Sequence, residues 1–191
     1  IRYAKRIQDA VLPNEQVLKR FTQDHFIYFK PKDVVSGDFF WITPKDDKII
    51  AVAADCTGHG VPGAFMSMLG ISFLNEIVNR RDCCEASRVL NWLRDKVKST
   101  LSLSGQATDD GMDLSLIMYH PSKMKVQYAG AYNPLYLIRN NELKVIKADR
   151  MPIGNHLKGD KPFTNHSMDV SQGDVLYQMS DGYQDQLGEQ S

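Results

Sequence analysis

The sequence carries no surplus of charge. Its 23 Lys and Arg balance 23 Asp and Glu, for a formal net charge of zero. A general nucleic-acid binder needs a basic face, so that class is excluded. Cysteine is scarce. Cys56, Cys83 and Cys84 make an odd count with two neighbours adjacent, a poor disulfide framework with no zinc-site spacing. This leads to the expectation of a reducing, cytoplasmic compartment. Long apolar runs are missing too. The longest clean one, residues 49–54, is far too short to span a bilayer. No signal-peptide pattern is visible. The chain opens on Ile1 rather than Met, so a longer parent is expected, and any membrane anchor is expected only in upstream regions. There is no internal repeat and no low-complexity tract.

What is present centres on residues 51–70, AVAADCTGHGVPGAFMSMLG. An apolar run ends in Asp55, a Gly58-His59-Gly60 turn follows, and helical spacing begins after it. Gly58 and Gly60 allow the backbone to approach a ligand closely. A helix start adds free N–H groups. A metal or phosphate site suits this pattern.

Around it, residues 1–12 have Tyr3, Ile7, Ala10 and Val11 near one face, and Pro13 ends the helix. Two readings stay open: a terminal helix packed on the core, or the end of an upstream signalling helix. Residues 25–32 alternate as a strand would. Residues 33–43 are strand-like, with Gly37 inside the run and Asp38 directly after it, a pattern of close backbone approach. A turn over 44–47 joins them to a strand over 48–54, so Asp38 and Asp55 stand at the open end of one hairpin. Residues 61–80 are expected to be helical with Phe65, Met68, Leu69, Phe73 and Ile77 as the apolar stripe. A second helix over 82–103 buries Ala86, Val89, Leu90, Leu93, Val97 and Leu101. Period two then gives strands over 113–120, 125–131, 134–139, 142–147, 165–170 and 174–179. The last leads into Ser180-Asp181-Gly182, and a helix is expected from Tyr183. Strands, two helices, then strands again make an α+β protein, an antiparallel β-sandwich flanked by helices.

Three acids share one context: Asp38, Asp55 and Asp181 each lie where a strand stops being buried. Converging carboxylates imply bound cations or raised pKa values, and oxygen ligands select Mg²⁺ or Mn²⁺. Each acid alone is equally a common turn former. His59 is either a general acid or a residue that fixes the turn. Cys56 has no C-x5-R loop behind it and is not read as a nucleophile.

SGDFFWI (36–42), residues 51–70, YAGAYNPLYLI (128–138) and SDGYQDQ (180–186) together resemble the metal-dependent protein phosphatases. They look most like the bacterial stage II sporulation protein E-type serine phosphatases, relatives of the type 2C enzymes. AKRIQDAVLP (4–13) is similar to the segment that joins sensor domains to such phosphatases. The resemblance implies a four-layer α-β-β-α sandwich with two Mn²⁺ or Mg²⁺ ions at one end. It implies a linker and regulatory helix over 1–13 and a phosphatase domain over 14–191. By motif, Asp55 bridges both ions, the backbone carbonyl of Cys56 serves one, Asp38 adds a ligand through water, and Asp181 binds the other. Gly37, Gly58, Gly60 and Gly182 shape the site. A metal-activated water then hydrolyses phosphoserine or phosphothreonine on a protein such as an anti-sigma-factor antagonist. An upstream sensor in the same chain and a homodimer through the N-terminal helix are further expectations. The family carries another metal-binding Asp after a later strand pair, which this segment lacks, so it is expected to be C-terminally truncated and one ion under-liganded. That departure motivates the alternative of an inactive binding or dimerisation module of the same fold.

Overall fold

A computed structural model describes residues 1–13, 15–22, 24–79, 85–102, 110–156 and 161–183. Strand β1 (Phe39–Lys45) and strand β2 (Lys48–Cys56) form the expected hairpin, in register from Phe39↔Ala54 to Lys45↔Lys48. Asp46 takes φ +54° in the turn between them, a conformation that Asp tolerates better than most residues. The following strands are β3 (Gly111–His120), β4 (Lys125–Ala131), β5 (Leu135–Arg139), β6 (Glu142–Ile146), β7 (Ile153–Gly154), β8 (His166–Asp169) and β9 (Val175–Tyr177). One six-stranded sheet runs β1-β2-β3-β4-β8, with the short β7 also paired to β3; a second sheet runs β6-β5-β9. Every ladder is antiparallel. Asn140 and Asn141 both take positive φ between β5 and β6, the turn geometry that matches the twist of a two-residue hairpin.

Helix α1 spans Arg2–Val11, α2 Gly60–Val78 and α3 Ala86–Ser102. Alternation along the strands divides the large sheet into two faces. Phe39 and Trp41, then Ile50, Val52, Ala54 and Cys56, then Met112, Leu114, Leu116 and Met118 share one core with α2 and α3. Leu74, Ile77, Leu90 and Leu93 from the two helices are fully buried in it. The opposite face packs on the second sheet through Tyr128, Leu135, Leu137 and Ile146, with Ile117, Met168 and Leu176 beside them. The result is α+β: two antiparallel sheets with helices outside. α2 has the length and mean hydropathy, 1.4, of a bilayer-spanning helix. Its apolar content is accounted for by its place in the core.

Four expectations are corrected. Segment 25–32 forms no strand; Phe26 and Tyr28 are exposed and have no ladder partner. On α2 the buried residues include Ala64, Ser67, Gly70, Ile71 and Leu74, while Phe65 faces solvent. On α1 the stripe Tyr3, Ile7 and Val11 is exposed and the buried residue is the polar Gln8. The α3 stripe and the later strands hold, with β7 additional; the strand expected over 33–43 begins only at Phe39 and runs on through Pro44 and Lys45, residues expected in the turn. Cys83, Cys84, the start expected for the second helix and the helix expected after Tyr183 lie outside the described residues.

Candidate active site

Period two carries the acids to one place. Cys56 faces the helices, so Asp55, its neighbour on β2, faces the second sheet. Asp38 precedes Phe39, whose partner is Ala54, and so comes level with Asp55 at the open end of the hairpin. Asp181 arrives from the other sheet. It follows β9 by a short segment that Gln178 ties down: its Nε2 donates to Ser115 O at 2.8 Å, Ser115 Oγ at 3.2 Å and Ala51 O at 3.3 Å. Ser180 Oγ donates to Asp38 Oδ2 at 2.8 Å. The carboxyls of Asp38 and Asp181 both lie in hydrogen-bonding reach of Asp55.

The electrostatics follow from this crowding. Burial first, then the carboxylates of Asp38 and Asp181, push Asp55 up to about 8 from 3.8. Asp113 is a fourth acid that the sequence reading missed. It is the register partner of Asp55 on β3, and burial followed by the charge of Asp181 raises it to about 6. The neighbouring residues Met112 and Leu114 belong to the helix-facing core, which leaves Asp113 on the same face as Asp55. That alternation is written in the sequence; the pairing of β2 with β3 is not.

The glycines fit the backbone together. A Cβ on Gly37 would stand 2.9 Å from Gly58 O and 3.1 Å from Cys56 O; on Gly63 it would stand 2.5 Å from Gly58 O. Gly58 and Gly60 take φ +83° and +65°, where side chains are strained. Gly182 lies beside Asp38, its Cβ position 3.7 Å from Asp38 Oδ2. Thr57 anchors the far side of the turn: its N–H donates to Gly111 O, and Gly111 N–H donates to Thr57 Oγ1, both at 3.0 Å. His59 precedes α2 without a side-chain cap bond. Its side chain is 95% exposed, and its Nδ1 lies 3.6 Å from Asp33 Oδ2. The Cys56 thiol is buried and its pKa raised, chiefly by that burial, so only its backbone carbonyl is offered to the turn.

The donor set suits hard divalent ions. All its side-chain donors are carboxylates, and Asp55 stands between two others as a shared ligand would. Among the described residues, no three His, Cys, Asp or Glu side chains form a ready-made single-ion group. A cation would offset the burial, and the carboxylate repulsion added to it, that hold Asp55 protonated near neutral pH.

The model of the family "Stage II sporulation protein E (SpoIIE)" matches residues 45–191. The chain belongs to the stage II sporulation protein E family. Among solved structures, the SiaA-PP2C domain of Pseudomonas aeruginosa is 32% identical, with a TM-score of 0.87, and the match covers 99% of this chain and 73% of that one. The PP2C phosphatase domain with a regulatory fragment of SpoIIE from Bacillus subtilis shares the fold at 22% identity and TM-score 0.62, over 78% of this chain and 41% of that one. RsbX in complex with magnesium shares it at 13% identity and TM-score 0.59, over 78% and 67%. No curated protein matches the chain. As a member of the stage II sporulation protein E family, the chain is a metal-dependent serine/threonine protein phosphatase domain of the type 2C fold.

Proposed function

We propose that this domain dephosphorylates phosphoserine or phosphothreonine on a regulatory protein of the anti-sigma-factor-antagonist class, in the cytoplasm. The observation that carries the reading is the meeting of Asp38, Asp55 and Asp181, which are distant in sequence, around one raised carboxyl. Asp55 is the shared ligand. Asp181 serves one metal position; the Cys56 carbonyl and Asp38, oriented by Ser180, serve the other. Two Mn²⁺ or Mg²⁺ ions supply, when bound, an activated water and a positive clamp for the phosphoryl oxygens. Gly37, Gly58, Gly60 and Gly182 keep that rim free of side chains. His59 stands at the solvent edge, where a general acid would meet the leaving seryl oxygen.

Residues 1–13 form the linker and regulatory helix below an upstream sensor in the same chain, and 14–191 the phosphatase domain. The exposed Tyr3, Ile7 and Val11 of α1 recur at the spacing of a helix-pairing seam, which supports a homodimer through α1. The test is Mn²⁺-dependent phosphate release from a phosphoserine protein, beside Mn²⁺ titration by calorimetry. Asp55→Ala is expected to abolish both. Undiminished activity in Asp55→Ala would overturn the reading.

A further inference from the structure

The chain crosses from the large sheet to the second one through Tyr132, Asn133 and Pro134, between β4 and β5. The crossing is strained and firmly held. Tyr132 takes φ +57°, an outlier for a bulky side chain. Asn133 N–H donates to Ala131 O at 2.6 Å and closes a three-residue turn around Tyr132. A positive φ at the centre of such a turn marks its rare, strained form. Tyr132 N–H donates to Asp149 O at 2.9 Å, and Asp149 N–H donates to Gly130 O at 3.0 Å. The fully buried Tyr128 donates its hydroxyl to Asn133 O at 2.8 Å. These bonds pin the main chain on both sides of Tyr132, while the residue itself is left 45% exposed.

Two registers carry this turn to the acids. The β3–β4 ladder ends at Leu114↔Ala131, and beyond it β3 takes β7 as its partner, from Met112↔Ile153. One step past that last pair stand Asp113 on β3 and Tyr132 after β4. In the second sheet the β5–β9 ladder ends, towards the site, at Tyr136↔Tyr177. Tyr132 lies four residues before this pair and Asp181 four residues after it. Tyr132 therefore stands at the end of both ladders, where Asp113 and Asp181 come into each other's field.

Glycine or asparagine would hold the same turn at lower cost. A strained residue persists where its surroundings over-determine it, and such residues cluster at functional sites. Single exposed aromatics are ordinary; one forced into this conformation beside a carboxylate centre is a candidate for substrate contact. The acids suit metal ions and, through them, a phosphoryl group. A flat, stiff, apolar ring next to them suits the peptide on which that phosphoryl group is carried.

We infer that Tyr132 is a specificity-determining residue of the phosphatase: its ring is the surface on which the residue flanking the phosphoserine packs, and it selects an apolar side chain there. The inference rests on the reading of Asp55 and Asp181 as the metal site.

The test uses the full chain with Mn²⁺ and three substrates: a phosphoserine peptide with leucine on both sides of the phosphoserine, the same peptide with glycine there, and a small aryl phosphate. Wild type is expected to favour the leucine peptide. Tyr132→Ala is expected to raise KM for that peptide about 10-fold, as truncation of an aromatic contact does. Its kcat, its Mn²⁺ affinity and its action on the other two substrates should stay at wild-type values, the pattern of a lost binding contact. Tyr132→Phe keeps the ring and should keep the preference. Tyr132→Gly removes the ring and relieves the turn, so it should lose the preference while melting no lower than wild type; it carries the test if Tyr132→Ala does not fold. Wild-type KM for the leucine peptide in Tyr132→Ala or Tyr132→Gly overturns the inference. So does an equal loss on all three substrates, which would place the effect at the metal centre, or a loss in Tyr132→Phe as large as in Tyr132→Ala, which would assign the contact to the hydroxyl. Wild-type turnover in Asp55→Ala overturns the site reading and this inference with it. An inactive Asp55→Ala beside an unchanged preference in Tyr132→Ala overturns only the inference.

Discussion

Asp113 stands directly opposite Asp55 across the β2–β3 ladder. Two acids in register on one face of a sheet repel one another. Here both also meet Asp181 from the other sheet, and both are raised. The site without ions therefore binds protons that the unfolded chain would not.

The first consequence is a pH dependence. Asp55 titrates near 3.8 unfolded and at about 8 folded. Between those values the folded state holds the extra proton, so its contribution to stability is full below about 3.8 and is lost as pH rises through about 8. Metal-free protein is expected to melt at progressively lower temperature as pH rises from 5 to 8, roughly the window between the two values. Asp55→Asn should flatten that slope, and Mn²⁺ should raise the melting temperature most at the upper end, where it competes with fewer protons. Thermal melts across pH, with and without Mn²⁺, check this; a rising metal-free curve would contradict it.

Asp113→Asn is expected to weaken Mn²⁺ binding by about 10-fold, as removal of a charged neighbour of the ligands does. It should also raise the metal-free melting temperature at pH 8, because one repelling charge is gone. Calorimetry beside a melting curve measures both. Wild-type Mn²⁺ affinity in this variant would remove Asp113 from the site.

Gly63→Ala places a methyl group 2.5 Å from Gly58 O and 3.0 Å from Gly37 Cα. Main chain cannot step aside as a flexible side chain does. A cost of about 1–3 kcal/mol in urea unfolding is expected, together with weaker Mn²⁺ binding because the turn carrying the Cys56 carbonyl moves. A variant of unchanged stability would show that the turn and segment 36–38 are not locked together.

Gln178→Leu removes the amide that bridges Ser115 and Ala51 to the strand end before Asp181. Ser115 is fully buried and loses its cross-sheet partner. About 1–3 kcal/mol of stability is expected to go, with a fall in Mn²⁺ affinity from the freed Asp181. Urea unfolding and calorimetry on one sample separate the two effects.

Much of this was legible in the chain. The hairpin that levels Asp38 with Asp55, the SDG turn and the α3 stripe follow from local period and turn chemistry. The features that escaped depend on partners distant in sequence. Segment 25–32 has the aromatic alternation of a strand, but strand formation needs a neighbour to pair with. Gln8 lies outside the apolar face read for α1, and periodicity gives no reason for a polar side chain to be buried; its burial is licensed by Ser36, 28 residues away, and Ser67, 59 away. Asp113 begins a strand whose register with β2 no local signal specifies.

Gly37, Gly58 and Gly63 meet main chain to main chain. At Gly37 and Gly63 the nearest neighbours are main chain, so substitution there offers no graded way to retune the centre: an added methyl group would stand 2.9 Å and 2.5 Å from Gly58 O. Adjustment has to come from sliding whole segments past each other. A phosphatase built on such a joint is set to be governed through the helices attached to it, and its homologues would diversify in those attachments while the joint itself stays fixed.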